Sequence, residues 1–370
     1  MKPLRALSNR LLFLVVIALL ATTFTSAQAP AGPQGNPPAQ QPAPAPSGQE
    51  NPAPAQQKPP ESGVTISVEV PVVTIDVIAT TQHGDLLTGL KKENFRVFED
   101  GQPQPITNAG PTDAGITMVV LMEFSARFYG FYSYTAKSWA SALFPNLKQN
   151  DWVALVTFDM RPHMEVDFTQ DKNEVRQALY SLYFPGFSES NVFDALLDTV
   201  DRLKDVKGKK SILLMASGID TFSRHTLDQT LKALRGTDVT IFAVGVDKPI
   251  WNYLQMQPGL HGGMRDLNFL QAENQMKTFA QMSGGYSWFP QFDGEIPGVM
   301  RDVTDFLRHQ YSITYTPTNR AADGKYRKVK VELVKPDGSP LEVVDQKGKK
   351  QKWVVYAKEG YTAPKGGVGD

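Results

Sequence analysis

GITMVVLMEFSAR, residues 115–127, runs through an unbroken apolar stretch from Met118 to Met122 and then delivers Glu123, Phe124, Ser125, Ala126 and Arg127. An apolar run without polar alternation predicts a strand buried on both faces, as in a parallel sheet covered by helices. Whatever follows it stands at the sheet's carboxyl edge, where open α/β sheets bind ligands.

Three more runs repeat the pattern: Trp152 to Phe158 (WVALVTF), Ile212 to Ala216 (ILLMA) and Val239 to Val246 (VTIFAVGV). Helical spacing lies between and after them. Thr135 to Leu147 carries Trp139, Leu143 and Phe144 on one face, and Asp171 to Tyr183 opens on an acidic cap. Asn191 to Leu203 follows, then Thr226 to Leu234, ending at Arg235-Gly236. Phe269 to Met282 is stopped by Ser283-Gly284-Gly285, and Ile296 to His309 is the last helical stretch. Between Asp247 and Asp266 the chain reads as a surface loop, with Trp251 and Tyr253 either forming a partner patch or tucking against the body.

The flanks have period two. Val64, Ile66, Val68 and Val70 alternate with polar residues, and after Pro71 the alternation resumes out of phase at Val73, Ile75 and Val77, which predicts a bulge or a break between strands. Phe95, Val97 and Phe98 begin another strand that turns at Glu99-Asp100-Gly101. Strand alternation returns at Tyr311 to Thr316, Tyr326 to Val334 and Trp353 to Ala357. Neither flank alone has enough strands to bury a face, so the two are expected to meet in one small antiparallel β-sandwich with the α/β body inserted in it. The expected divisions are 64–112 for the first half of the sandwich, 113–308 for the α/β domain, 309–362 for the second half and 363–370 for a tail.

Ahead of these, Lys2, Arg5 and Arg10 precede the apolar Leu11 to Ala21, and small residues end at Ala27. This predicts a signal peptide over residues 1–27, cleaved after Ala27, with export to the periplasm or beyond the cell. The apolar core is shorter than the about 20 residues a spanning helix needs, so no stable membrane span is expected after cleavage. Residues 28–63 are nearly all Ala, Pro, Gln, Gly and Ser, too poor in apolar area to fold, and read as an extended linker. The 38 Lys and Arg balance 38 Asp and Glu, which argues against a nucleic-acid surface. There is no cysteine, so disulfides, thiol nucleophiles and thiolate metal sites are excluded.

In order, the apolar strand before Glu123-Phe-Ser125, the Asp151 to Phe158 strand, the helix start Ser190-Asn-Val-Phe-Asp194, the turn Ser217-Gly218-Ile-Asp220 and the strand Phe242 to Val246 resemble the von Willebrand factor A domain. The likeness is greater to an exported subgroup typical of Acidobacteria, which shares the Gly89-Leu90, Asn94-Phe95 and Glu99-Asp100-Gly101 positions ahead of the domain and Gly360-Tyr361 at its end. The resemblance implies a Rossmann-like sheet flanked by helices and a protein-binding, adhesion-type role. It also implies three loops at the carboxyl edge which in metal-bearing members gather Asp-x-Ser-x-Ser, a Thr and an Asp-Gly around Mg²⁺.

Carried over by position, the first loop is Glu123-Phe-Ser125-Ala-Arg127, the second offers Ser190 and the third reads Ser217-Gly218. Only Ser125 matches outright. Arg127 stands where a ligand oxygen belongs, and a guanidinium cannot coordinate a cation. The expectation is therefore a degenerate site, with Arg127 paired to Glu123 in place of the ion and no cofactor. A Mg²⁺-dependent adhesion module using Glu123, Ser125 and Ser190 is the alternative, as is a rearranged site that draws on Asp220 and Asp194. Those two acids also read as ordinary turn and helix-start carboxylates.

An enzyme has less support, since the five histidines share no motif spacing and no nucleophile elbow or phosphate-binding loop occurs. An envelope hydrolase and a structural subunit of an envelope assembly are the readings from other classes. The mature chain without residues 28–63 is expected to melt at the same temperature as the full mature chain, because a segment without core adds no stability. A drop of many degrees on that deletion would show that the segment packs on the body.

Overall fold

Strand β5 (Ile116–Glu123) has a core on each side because its side chains alternate between them. Met118, Val120 and Met122 join one apolar cluster, while Val119 and Leu121 join another. The computed structural model of the chain describes residues 72–365 except 113, 257–265 and 346. The signal peptide, the linker and the alternating stretch 64–70 lie outside the described residues.

In chain order the strands before β5 are β1 (Val73–Thr81), β2 (Phe95–Glu99), β3 (Gln102–Gln104) and β4 (Ile106–Pro111). After it come α1 (Tyr129–Leu143), β6 (Trp152–Phe158), β7 (Pro162–Thr169), α2 (Lys172–Tyr180), α3 (Val192–Arg202), β8 (Lys209–Ala216), α4 (Leu227–Arg235) and β9 (Thr240–Gly245). The chain continues through α5 (Asp247–Gln255), α6 (Asp266–Met282), β10 (Ser287–Trp288) and α7 (Ile296–Arg308). It ends with β11 (Tyr311–Tyr315), β12 (Tyr326–Leu333), the short hairpin β13 (Val343–Val344) and β14 (Lys350–Gln351), β15 (Trp353–Ala357) and β16 (Gly360–Thr362).

The central sheet has the order β10-β9-β8-β5-β6-β7 and is parallel except for β7, which runs antiparallel to β6. Helices α1 and α7 cover one face through Trp139, Tyr132, Val303 and Leu307. Helices α3, α4 and α6 cover the other through Val192, Leu196, Leu234 and Phe279. The edge strand β7 has no apolar run to announce it; only Met164, Val166 and Phe168 alternate there, with charged residues between.

Strands from the two ends of the chain interleave in two antiparallel sheets, β15-β1-β11-β4 and β16-β12-β2-β3. Their shared core includes Ile75, Val77, Phe95, Val97, Ile313, Tyr315, Val331 and Leu333. A buried carboxylate links the two sheets: Tyr315 of β11 and Tyr361 of β16 each donate a hydroxyl to Glu99 Oε2 of β2 at 2.9 Å. At the amino edge of the central sheet, buried Asp151 accepts from the Ile116 and Lys148 amides at 3.0 and 2.7 Å and pairs with Arg308 at the end of α7. Lys209 donates to the Leu307 carbonyl at 2.8 Å. Burial lowers its ammonium to about 8 against the pull of Asp76 on β1.

The stretch after Asp247 departs from its expected form. Residues 247–255 are helix α5, not loop, because Ile250, Tyr253 and Leu254 recur at helical spacing and pack on the core. Trp251 meets Phe269 edge-on, and Tyr253 meets Phe131 and Tyr134, so both rings lie against the body. Helix α1 starts earlier than expected, at Tyr129, since Phe131 and Tyr132 are already part of its buried face.

β1 pairs only with β11 and β15 among the named strands, and β2 with β12 and β3. A chain ending at residue 308 is therefore expected to lose amide-exchange protection over 73–81 and 95–99. Protection retained there would show that these strands stand without their C-terminal partners.

Candidate functional site

The sheet's carboxyl edge gathers its loops by backbone hydrogen bonds. The Phe124 amide donates to Phe158 O at 2.7 Å and the Ala126 amide to Phe187 O at 2.7 Å. Asn191, at the start of α3, donates its side-chain amide to Met160 O and Phe222 O at 3.0 and 2.9 Å, tying two further loops together. Ser190 and Thr221 are joined three ways: the Ser190 amide donates to Thr221 Oγ1 at 2.8 Å, and Ser190 O accepts from the Thr221 amide at 2.9 Å and its hydroxyl at 3.2 Å.

Glu123 ends β5 in the middle of this assembly with 0% of its surface exposed. Its Oε2 accepts the Ser217 amide at 2.7 Å and the Tyr132 hydroxyl at 3.3 Å. Its Oε1 is buried without a hydrogen-bond partner, and so are Ser125 Oγ and Ser190 Oγ. Burial raises the Glu123 carboxyl above its ordinary value, opposed by the Ser217 amide and by the Ser217, Ser190 and Tyr132 hydroxyls. The Ser190 hydroxyl thus lies close enough to favour the carboxylate without being aligned to bond it. Ser217 Oγ is engaged within its own turn, accepting the Ile219 amide at 3.2 Å.

The expected pair between Arg127 and Glu123 is not formed. Arg127 is exposed while Glu123 is sealed, and no ion pair joins them among the described residues. The guanidinium keeps its hydration, which it gives up only for a well-placed partner. Asp220 accepts the Ser223 hydroxyl at 2.5 Å and the Phe193 amide at 3.3 Å. Asp194 accepts from the Arg224 and His225 amides and side chains, which hold its carboxyl below the ordinary value despite burial. Both acids already hold the turn against the helix start, leaving less of them for a ligand.

One residue escaped the sequence reading. Asp247 opens α5 one residue beyond β9, is 1% exposed, and has both carboxylate oxygens buried without an aligned hydrogen-bond partner. Burial, and then the charge of Glu273, raise its carboxyl to about 6. The Tyr132 hydroxyl is pushed well up by its own burial, by Glu123 and, in smaller measure, by Asp247. The signal was present: an acid ending an apolar run, as at Glu123.

Around the site the surface is aromatic. Phe184 and Phe222 are each 66% exposed and Phe187 39%, with Tyr183 beside them. The Phe184 ring packs edge-on against Tyr129, and the Arg161 guanidinium lies over Phe187.

Hard oxygen donors of this kind suit Mg²⁺ or Ca²⁺. Glu123 Oε1, Ser125 Oγ and Ser190 Oγ fit such an ion in type and in lacking any other partner. Among the described residues no group of three or more His, Asp or Glu side chains is arranged to hold a metal, so hydroxyls would have to complete the shell.

A mostly parallel sheet covered by helices on both faces, with oxygen-bearing side chains on the loops at its carboxyl edge, defines an open-sheet α/β domain. Residues 118–280 match the family model for the von Willebrand factor type A domain, and this part of the chain is such a domain. Comparison with curated proteins gives no match. Among solved structures, BatB from Bacteroides thetaiotaomicron is 14% identical, with 52% of this chain and 99% of that one covered at a TM-score of 0.39. The vWF domain of the type V pili tip protein Mfa5 from Porphyromonas gingivalis is 10% identical, covering 53% and 96% at 0.39. The PilB minor pilin from Streptococcus sanguinis is 10% identical, covering 54% and 63% at 0.38. These likenesses are too distant to carry a function across.

Asp247 makes stability depend on pH. Its folded value of about 6 stands above the 3.8 of the free group, so the folded chain holds that proton more tightly and loses stability as pH climbs from about 4 through 6. In chelator, Asp247→Asn is expected to melt a few degrees above the unmodified chain at pH 8 and level with it at pH 4. A lower melting temperature at pH 8 would mean the carboxylate has a stabilising partner.

Proposed function

We propose that this chain is an exported, adhesion-type protein-binding module that meets its partner at the carboxyl edge of the central sheet. The contact surface comprises the loops bearing Glu123, Ser125, Arg127, Ser190, Ser217 and Asp220. The observation that carries this reading is the group of exposed rings, Phe184, Phe187 and Phe222, beside those loops. Exposed aromatics on loops of one sheet edge, with an arginine over one of the rings, are the residue types enriched at the energetic centres of protein interfaces. The α/β domain would sit inside a β-sandwich built from both ends, carried on the Pro-rich stretch 28–63 in the periplasm or outside the cell. No helix among the described residues is long and apolar enough to cross a membrane.

A second reading concerns the ion. A metal-free site drew its support from an Arg127 charge neutralising Glu123 and from Ser217 standing where a carboxylate belongs; the exposed guanidinium withdraws the first of these and leaves the second. The unpartnered Glu123 Oε1, Ser125 Oγ and Ser190 Oγ favour a hard divalent cation, which those three residues would hold. Bound there, the cation would offer an open position to a carboxylate of the partner.

The test is binding of the purified mature protein to immobilised envelope extract. Phe184→Ser, Phe187→Ser and Phe222→Ser combined should lower the signal about tenfold or more at an unchanged melting temperature, as loss of interface anchors does. Chelator should lower it in the unmodified protein. Full binding by the triple variant would overturn the proposed surface, and indifference to chelator would return the site to a metal-free one.

A further inference from the structure

We infer that Asp247 supplies the second negative charge of a divalent-cation site centred on Glu123, in place of a carboxylate that the loop at Ser217 does not provide. The inference rests on the cation reading above and adds a residue to it.

The topology brings both acids to the carboxyl edge of the central sheet, two strands apart. β8 lies between β5 and β9 in the sheet. The Val246 amide donates to Ala216 O at 3.0 Å, so the ends of β9 and β8 are joined just where Asp247 and Ser217 begin. The Ser217 amide in turn donates to Glu123 Oε2 at 2.7 Å. Tyr132, whose hydroxyl lies 3.3 Å from Glu123 Oε2, is acted on by the charges of both acids.

Asp247 has no aligned hydrogen-bond partner, and only the Lys248 charge and the amides of residues 247 and 248 favour its carboxylate. Both its oxygens are buried and unpaired. The cation next to it in sequence, Lys248, reaches Glu273 at 2.7 Å instead. Glu273 adds negative charge to the neighbourhood of Asp247 rather than relieving it. A buried carboxylate whose oxygens lack aligned hydrogen bonds is costly for a fold to hold; the Lys248 charge and the amides at the start of α5 relieve it only in part, and its carboxyl stays raised. Together with Glu123 Oε1, Ser125 Oγ and Ser190 Oγ, the two Asp247 atoms make five buried oxygens without partners along this sheet edge. Oxygen-rich sites with two carboxylates suit a hard divalent ion, and mixed sites with His or thiolate ligands do not resemble this one.

The experiment is titration of the mature full-length protein with Mn²⁺, followed by loss of the free-ion paramagnetic resonance signal, with melting temperatures measured in chelator. The unmodified protein should bind saturably, and Glu123→Gln should abolish binding. Asp247→Asn should weaken it by about tenfold or more, in the range that loss of a supporting carboxylate gives. Adding Ser217→Asp to Asp247→Asn returns a carboxylate to the neighbouring strand end and should restore affinity to within a few-fold. In chelator at pH 8, Asp247→Asn should be no less stable than the parent. Unchanged Mn²⁺ affinity in Asp247→Asn would overturn the role of Asp247 while leaving the cation reading intact. A fall in its chelator-state melting temperature would do the same by assigning Asp247 to structure. No Mn²⁺ binding by the unmodified protein at millimolar ion would remove the cation reading, and this inference with it.

Discussion

A strand buried on both faces delivers its last side chain into a place that water does not reach. β5 is such a strand, and its last residue is Glu123, 0% exposed. Everything at the carboxyl edge answers to that charge. The Ser217 amide and the Tyr132 hydroxyl turn toward one oxygen. The loop after β5 leaves Ser125 buried beside it and carries Arg127 outward to solvent. A neutral hydrogen bond contributes about 1 kcal/mol net, and one to a charged group about 1.5–3. Two such bonds on one oxygen do not settle a carboxylate whose desolvation costs several kcal/mol, and its carboxyl is raised accordingly.

The β-sandwich stands in a different relation to the sequence. Its two sheets take strands from both ends of the chain, so neither is complete without the far end, as where residue 311 pairs with residue 77 and residue 331 with residue 97. The buried Glu99 carboxylate then links the sheets through Tyr315 and Tyr361. Asp151, Arg308, Lys209 and the Leu307 carbonyl fasten the end of α7 at the opposite edge from the candidate site. The two ends of the central sheet therefore differ: buried Asp151 at the amino edge has both oxygens paired, while Glu123 and Asp247 at the carboxyl edge keep unpaired ones.

That difference also marks how far the sequence could be read. β5, β6, β8 and β9 are unbroken apolar runs, and such runs have few alternatives once helices alternate with them. β7 was missed because an edge strand with one exposed face has no such run, and α5 because Pro249 and the polar Asn252 and Gln255 obscure its spacing. At the candidate site, the sequence could place Glu123, Ser125, Ser190 and Ser217 on loops at one sheet edge, where the structure has them buried together. The direction of Arg127 was not, because a charge cancelled on paper is cancelled in a fold only if both partners share one environment. Asp247 was passed over because the stretch after it was read as loop, although it opens a helix just beyond a buried strand.

A buried carboxylate has three ways to be tolerated: hydrogen bonds, a proton or a cation. Asp247 has no aligned hydrogen bonds, and the nearby amides at the start of α5 leave its carboxyl raised, so the proton and the cation are the two left to compare. With its carboxyl at about 6, holding the proton at pH 7 costs about 1.4 kcal/mol, one pKa unit. A divalent ion about 4 Å from a carboxylate gains on the order of 8 kcal/mol at an effective dielectric of about 20, before the ion's own dehydration is charged against it. The proton is thus the cheap occupant when ions are scarce or the medium is acid, and the cation the stronger one at neutral pH once its water shell can be replaced. The Ser125 and Ser190 hydroxyls bear on that last condition, since each replaces one water oxygen with a fixed one. Their buried, unpaired state in the folded chain is what a site prepared for that exchange requires.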